Sequence, residues 1–292
     1  MLHYCLQERL KMSSGSIQLL REFDGFPFNP LLDASWIAEI PDYPISPGDL
    51  YIATYPKSGT TWTQQIVSLI QWGGEKDTHI SSDIPWLESI GKDSARALSP
   101  PRTLKTHLPY DMMPGRDPAN SIGKYIYIAR NPKDVAVSLY YHAKRYAAFQ
   151  FTGDWDCFFE LFMKGEVSCG LWFHHIFGWW EHKDAKNILF LKYEDLKKDL
   201  PASVKTIAQF MGCSLDDAMI DKITKQSTFE SMKDDPLANL PLGFPVVSGS
   251  TPFIRKGVIG DWKNHFTDEQ STRFDAEYTK RMSGTGLVFD FQ

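Results

Sequence analysis

Cysteine is scarce in this 292-residue sequence, and the four present, Cys5, Cys157, Cys169 and Cys213, stand in no CxxC or Cys/His ligand spacing. That argues against a disulfide framework, suggests no zinc or other metal site, and fits a reducing compartment. Long apolar runs are missing as well. No stretch reaches about 18 uncharged apolar residues, and the start is interrupted by Glu8, Arg9 and Lys11, so neither a spanning helix nor a leader is expected. The expected location is cytoplasmic. Charge of one sign is not in excess: 31 basic and 36 acidic side chains leave a net −5, which disfavours a binder of nucleic acid or anionic membrane. Repeats and low-complexity tracts are also absent.

What is present is enough apolar and aromatic material, 42% and 14%, to fill a large core without staples. Leu50-Tyr51-Ile52-Ala53-Thr54 is a short β-favouring run, broken at Tyr55-Pro56 and followed from Thr60 to Trp72 by Trp62, Ile66, Leu69 and Ile70 at helical spacing. The pattern returns at Lys124 to Ala129, where Asn131 is placed to cap a helix with Pro132 at its first position. It returns again at Ile188 to Leu191, before a helical stretch from about Glu194, and Thr103 to Thr106 reads as a further strand ending at His107. Buried strands alternating with helices predict an α/β fold with a parallel sheet covered on both faces.

Between Trp155 and His182 the aromatic residues recur at helical steps, which predicts two core helices divided near Gly165. Residues 234–260 hold four prolines and four glycines without periodicity, the pattern of a long functional loop or lid. Residues 1–16 read as a mobile tail ahead of one domain over 17–292.

Tyr55-Pro56-Lys57-Ser58-Gly59-Thr60-Thr61-Trp62 puts a lysine, a glycine and three hydroxyls between a strand end and a helix start. Unpaired amides and the positive end of the helix dipole attract an anion there, Gly59 permits close approach, and Lys57 adds a charge. The plainer reading is a solvated lysine in an ordinary turn. The Walker pattern GxxxxGK[ST] is absent, which disfavours a magnesium-dependent nucleotide kinase or NTPase.

This octapeptide resembles the 5′-phosphosulfate loop of the cytosolic sulfotransferases, which use 3′-phosphoadenylyl sulfate (PAPS) and release adenosine 3′,5′-bisphosphate (PAP). Arg130-Asn131-Pro132-Lys133-Asp134-Val135-Ala136-Val137-Ser138 resembles the same family's 3′-phosphate segment, and Arg255-Lys256-Gly257-Val258-Ile259-Gly260-Asp261-Trp262-Lys263 its RKGxxGDWK signature. The similarity runs from about Leu50 to Phe274. It implies a single domain with a P-loop-kinase-like three-layer sandwich, and sulfuryl transfer from PAPS to the hydroxyl, or amine, of a small acceptor such as a phenol or steroid alcohol.

The resemblance also implies roles. Lys57 and Lys105 match lysines that steady the leaving group, and His107 matches the general base, suited by an imidazole pKa of about 6.5. Arg130 and Ser138 match the holders of the 3′-phosphate, with Arg255, Lys256 and Gly257 closing over it; in the family the serine also restrains the loop lysine. Ser58, Gly59, Thr60 and Thr61 belong to the phosphosulfate loop. Trp62 and Phe229 match residues that stack on adenine, Tyr193 an edge contact, and Ser227 stands where relatives often have threonine. Phe26, Trp86, His142 and the loop from Phe244 to Phe253 are expected to line the acceptor pocket, together with Lys105 and His107.

Near the C-terminus the family's KxxxTVxxxE dimer segment reads here Lys263-Asn264-His265-Phe266-Thr267-Asp268-Glu269-Gln270-Ser271-Thr272. A carboxylate at the valine position and a lost glutamate predict a monomer, or a dimer formed elsewhere. A catalytically silent PAP-binding protein is the other alternative. It would not need Lys57, Lys105 and His107 together.

Overall fold

The computed structural model of the chain describes residues 8–13, 16–239 and 244–292. Its centre is a four-stranded parallel sheet of β4 (Leu50–Thr54), β5 (Thr103–Thr106), β6 (Lys124–Ala129) and β7 (Ile188–Lys192), in the order β5-β4-β6-β7. A smaller antiparallel sheet joins β1 (Glu8–Ser13), β2 (Ser16–Phe23) and β3 (Phe26–Phe28). Part of the expected tail is therefore a strand, in register from Glu8 opposite Arg21 to Ser13 opposite Ser16. The cue was the alternation of Arg9 and Lys11 with Leu10 and Met12, the period of a strand with one polar face. Residues 1–7 lie outside the described residues.

The described helices are α1 (Ala34–Glu39), α2 (Thr60–Gln71), α3 (Ile80–Asp83), α4 (Lys92–Ala97), α5 (Pro132–Arg145) and α6 (Trp155–Lys164), then α7 (Trp172–Trp180), α8 (Tyr193–Lys198), α9 (Leu200–Met211), α10 (Asp217–Gln226), α11 (Phe229–Asp234) and α12 (Asp268–Met282). Local chemistry sets several ends. The Asn131 side chain accepts from the Asp134 amide with Pro132 at the first position of α5, Asp154 caps α6, Gly165 ends it, and a Thr267–Gln270 capping box opens α12.

The period of two along the strands divides the core. Leu50 and Ile52 of β4, with Ile126 and Ile128 of β6, face a largely aliphatic cluster containing Ile66 and Leu69 of α2 and Val204 and Ile207 of α9. Tyr51, Ala53, Tyr125 and Tyr127 face the other way, into an aromatic cluster with Trp36, Phe158, Trp172 and Trp179. Sheet and two helical layers form the expected three-layer α/β domain. The chain leaves β4 toward β5 on one side and leaves β6 toward β7 on the other. The carboxyl ends of these two neighbours therefore flank the point where strand order reverses, the usual place for a ligand crevice in such sheets.

Candidate active site

The segment between β4 and α2 turns sharply because Lys57 and Gly59 both take positive φ, +70° and +113°. Only glycine fits at 59, since a Cβ there would lie 2.9 Å from the Tyr193 ring. Gly59 offers α2 no side-chain cap, so the helix start keeps backbone donors for an incoming group. Half-buried Lys57 lies with Nζ 4.2 Å above the Phe253 ring. Burial, reinforced by Arg130, Lys105, Arg255 and Arg145, lowers its pKa to about 7. No hydrogen bond joins it to Ser138, which stands half-buried on the same cleft wall; the lysine is held over an aromatic face instead.

Arg130, just past β6, ties three segments together. It donates to the Lys57 carbonyl at 3.2 Å and the Val258 carbonyl at 3.0 Å, and its guanidinium lies 4.3 Å from the Tyr193 ring centre. Its Nε is buried without a partner. Asp134 holds the C-terminal signature in place by accepting the Gly260 and Trp262 amides at 2.8 and 3.0 Å. Asp261 accepts from Arg255 at 2.5 Å and Lys256 at 2.6 Å, which holds its carboxyl well below the usual range despite burial. One carboxylate thus serves two cations, and the cleft keeps a positive excess. Gly257 is required by contact, for a Cβ would sit 2.4 Å from Phe229.

Trp62 donates its indole N–H to the Ser227 carbonyl at 2.6 Å and meets Tyr193 edge-on at 5.2 Å. With Phe229 these rings line one end of the cleft, and Lys197, one turn past Tyr193, reaches to 5.7 Å from the Trp62 ring. Ser58 and Ser227 are both fully buried, and both hydroxyls lack a hydrogen-bond partner.

At the other end His107 follows β5. Its Nδ1–H donates to the Thr54 carbonyl at 2.9 Å, an assignment that leaves Nε2 with the free lone pair. Its backbone N–H donates to Glu88 at 2.6 Å, and its carbonyl accepts from His175 at 3.1 Å. Burial and Lys105 lower its pKa to about 3, against the opposing Thr54 bond, so the ring is neutral at physiological pH. Buried Lys105 lies 5.2 Å from the Trp86 ring, and burial lowers its pKa to about 8, with Glu88 opposing. Glu88 carried no signal in the sequence. It reaches the site because residues 85–87 run along β5, with Lys105 donating to Pro85 and Leu87 to Lys105, both at 3.0 Å.

His142, Trp86, Leu139, Phe149, Phe244 and Phe253 line the rest of this end. Phe26 does not. Its ring packs 4.9 Å from Phe28, and Phe28 lines the cleft instead. Two residues along β3 is about 7 Å, enough to decide which of two same-facing rings arrives. The 234–260 loop is anchored to the end of α5, where Val247 donates to the Arg145 carbonyl at 2.8 Å and Ala147 to Pro245 at 3.1 Å. Residues 240–243 of that loop lie outside the described residues.

Residues 47–286 match the model of the sulfotransferase domain. The chain belongs to the sulfotransferase family. It is 41% identical to sulfotransferase 1C2 of Oryctolagus cuniculus, over 96% of this chain and 98% of the relative. Among solved structures it resembles mouse sulfotransferase SULT7A1 complexed with PAP, at 32% identity and TM-score 0.77, covering 91% of this chain and 94% of that one. It also resembles a retinol dehydratase in complex with androsterone and PAP, at 26% identity and TM-score 0.81, covering 95% and 93%. This sulfotransferase is therefore a transferase of sulfuryl groups to small acceptors, on the three-layer fold expected from its motifs. Among its described residues no helix is long and apolar enough to cross a membrane.

Proposed function

We propose that this sulfotransferase binds PAPS between the 55–62 loop and the 255–263 segment and passes its sulfuryl group to an acceptor held beside His107. The observation that carries the reading is the composition of one cleft: a cation-rich, glycine-floored end joined to an imidazole whose free nitrogen is set by Thr54. The donor set suits a flat, highly anionic nucleotide. Lys57 has no carboxylate partner among the described residues, Arg130 keeps a buried N–H unused, and Phe229 closes on a position only glycine fits. PAP in the structures of the mouse sulfotransferase and the retinol dehydratase supports the same choice.

Bound PAPS supplies an electrophilic sulfuryl group on a phosphate leaving group. Within the cleft, Trp62, Phe229 and Tyr193 offer faces and an edge to a purine, with Lys197 beside them. Arg130, Arg255, Lys256 and Ser138 offer donors to a phosphate, and Lys57 and Lys105 place positive charge where negative charge develops during transfer. His107 Nε2 takes the proton of the acceptor hydroxyl, and Thr54 keeps the ring in the tautomer that can do so. The aromatic wall suits a phenol or steroid alcohol, or an amine presented neutral. No step uses a metal. A cytoplasmic location and a monomeric state, or a dimer built without residues 263–272, complete the reading. A silent PAP binder is disfavoured because such a protein would have no use for a fixed base beside two lysines.

The test combines binding and transfer. PAP at about 100 times its dissociation constant should stabilise the protein by roughly 2.7 kcal/mol, and labelled sulfate should pass from PAPS to a phenol in EDTA-treated protein. Stabilisation without transfer to any phenol, alcohol or amine would select the silent binder. Absence of both would sink the proposal.

A further inference from the structure

His142 lies one turn past Ser138 on α5, in the wall of the acceptor end. Its ring is packed among aromatic ones, with centroids 4.8 Å from Tyr146, 5.6 Å from Phe149 and 6.5 Å from Phe253. A phenylalanine would fill such a place without any polar cost. Two other interior histidines use both ring nitrogens: His175 bonds to the Tyr127 hydroxyl at 2.8 Å and the His107 carbonyl at 3.1 Å, and His265 to the Tyr141 hydroxyl at 2.9 Å and the Asp261 carbonyl at 3.1 Å, while His107 and His79 each bond through Nδ1. His142 uses neither. Its Nδ1 is buried with no partner, and no described residue bonds to Nε2. A neutral imidazole carries one donor and one acceptor; Nδ1 is shut off from solvent and unpaired, which is costly, and Nε2 is left for a group that enters the cleft.

We infer that His142 recognises a second, uncharged oxygen on the acceptor, so that the preferred substrates are aromatic or alicyclic alcohols bearing a further hydroxyl or carbonyl. This rests on the acceptor binding beside His107 as proposed above. The choice of an uncharged group follows from the surroundings. Lys57, Lys105 and Arg145 place positive charge near the ring and disfavour a protonated amine, and a carboxylate would be drawn to those cations rather than to a neutral imidazole. The reacting hydroxyl is already assigned to His107, so the oxygen that meets His142 must be a different one.

The experiment compares wild type, His142→Phe and His142→Gln on matched acceptors: catechol, resorcinol and hydroquinone against phenol, and 4,4′-dihydroxybiphenyl against 4-hydroxybiphenyl. In wild type at least one diol should exceed its parent by about tenfold in kcat/KM after allowance for its two equivalent hydroxyls. The ratio should fall to about one in His142→Phe, mainly through KM, and recover in part in His142→Gln, whose amide can still bond. A ratio near one in wild type for every pair, or a tenfold ratio that survives in His142→Phe, overturns the inference. If no acceptor is turned over, the transfer reading fails, and calorimetry of the same pairs with PAP-saturated protein decides the role of His142. A diol advantage lost in His142→Phe supports it, and equal affinities overturn it.

Discussion

At the donor end of the cleft the working groups come from short segments: Lys57, Gly59 and Trp62 within one loop and helix start, Arg130 and Ser138 within nine residues, and Arg255 to Asp261 within seven. At the acceptor end, His107, Glu88, Phe28, His142 and Phe253 come from five separate stretches, and their chemistry depends on contacts across 19 to 68 positions, such as His107 with Glu88 and with His175. The difference teaches how each end can fail. A donor-end residue acts through charge and backbone shape, so its loss should appear in nucleotide affinity. An acceptor-end residue acts through the state and position of one imidazole, so its loss should appear in turnover.

The sharpest separation is between His107→Ala and Arg130→Ala. The first should lower kcat by about 10²–10⁴ while PAP affinity, read by calorimetry, stays within a few fold. The second should weaken PAP binding by roughly 10- to 100-fold, the worth of a charge-assisted contact. If both lost nucleotide affinity alike, the division between the ends would break.

A pH series sharpens the donor side. Lys57 has its pKa lowered to about 7 by burial and neighbouring cations, and binding of an anion favours its charged form. PAP affinity should therefore decline as pH rises above 7, by up to about tenfold per unit until the pKa of the complex is passed. Lys57→Arg, charged throughout, should flatten that slope. A slope identical in the two proteins would assign the titration to another group. On the acceptor side His107, lowered to about 3 in the ligand-free protein, should give kcat/KM no rise from its own titration between pH 6 and 8.

Gly257→Ala tests shape without charge. Its Cβ must displace the Phe229 ring, so the KM for PAPS should rise several-fold with kcat for a saturated enzyme little changed. The smallest effect is expected outside both ends. Asp268 lies in the first turn of α12, exposed, where a carboxylate suits the helix dipole. Light scattering at micromolar concentration should show the same mass for wild type and Asp268→Val; conversion of a monomer into a dimer by the valine would mean that this residue alone blocks the 263–272 interface.

Much of the fold was legible before any coordinates. The runs at 50–54, 103–106 and 124–129 became strands with those bounds, and Asn131-Pro132 opened α5 as its chemistry requires. The strand at 8–13 departs from the tail expected there although the sequence alternates, because a terminal segment offers no following helix to confirm a strand.

The amino-acid order alone determined strand and helix periods, caps, and the three segments that mark a sulfotransferase, since these depend on neighbours within a few residues and on backbone conformations glycine and proline impose. Only the tertiary structure decided that Glu88 holds the His107 backbone, that Asp261 pairs with two cations at once, that Phe28 rather than Phe26 lines the wall, and that His142 is left without a partner among the described residues. Those outcomes turn on distances of a few ångströms between segments far apart in the chain, and such distances are set by how whole layers pack rather than by any local pattern.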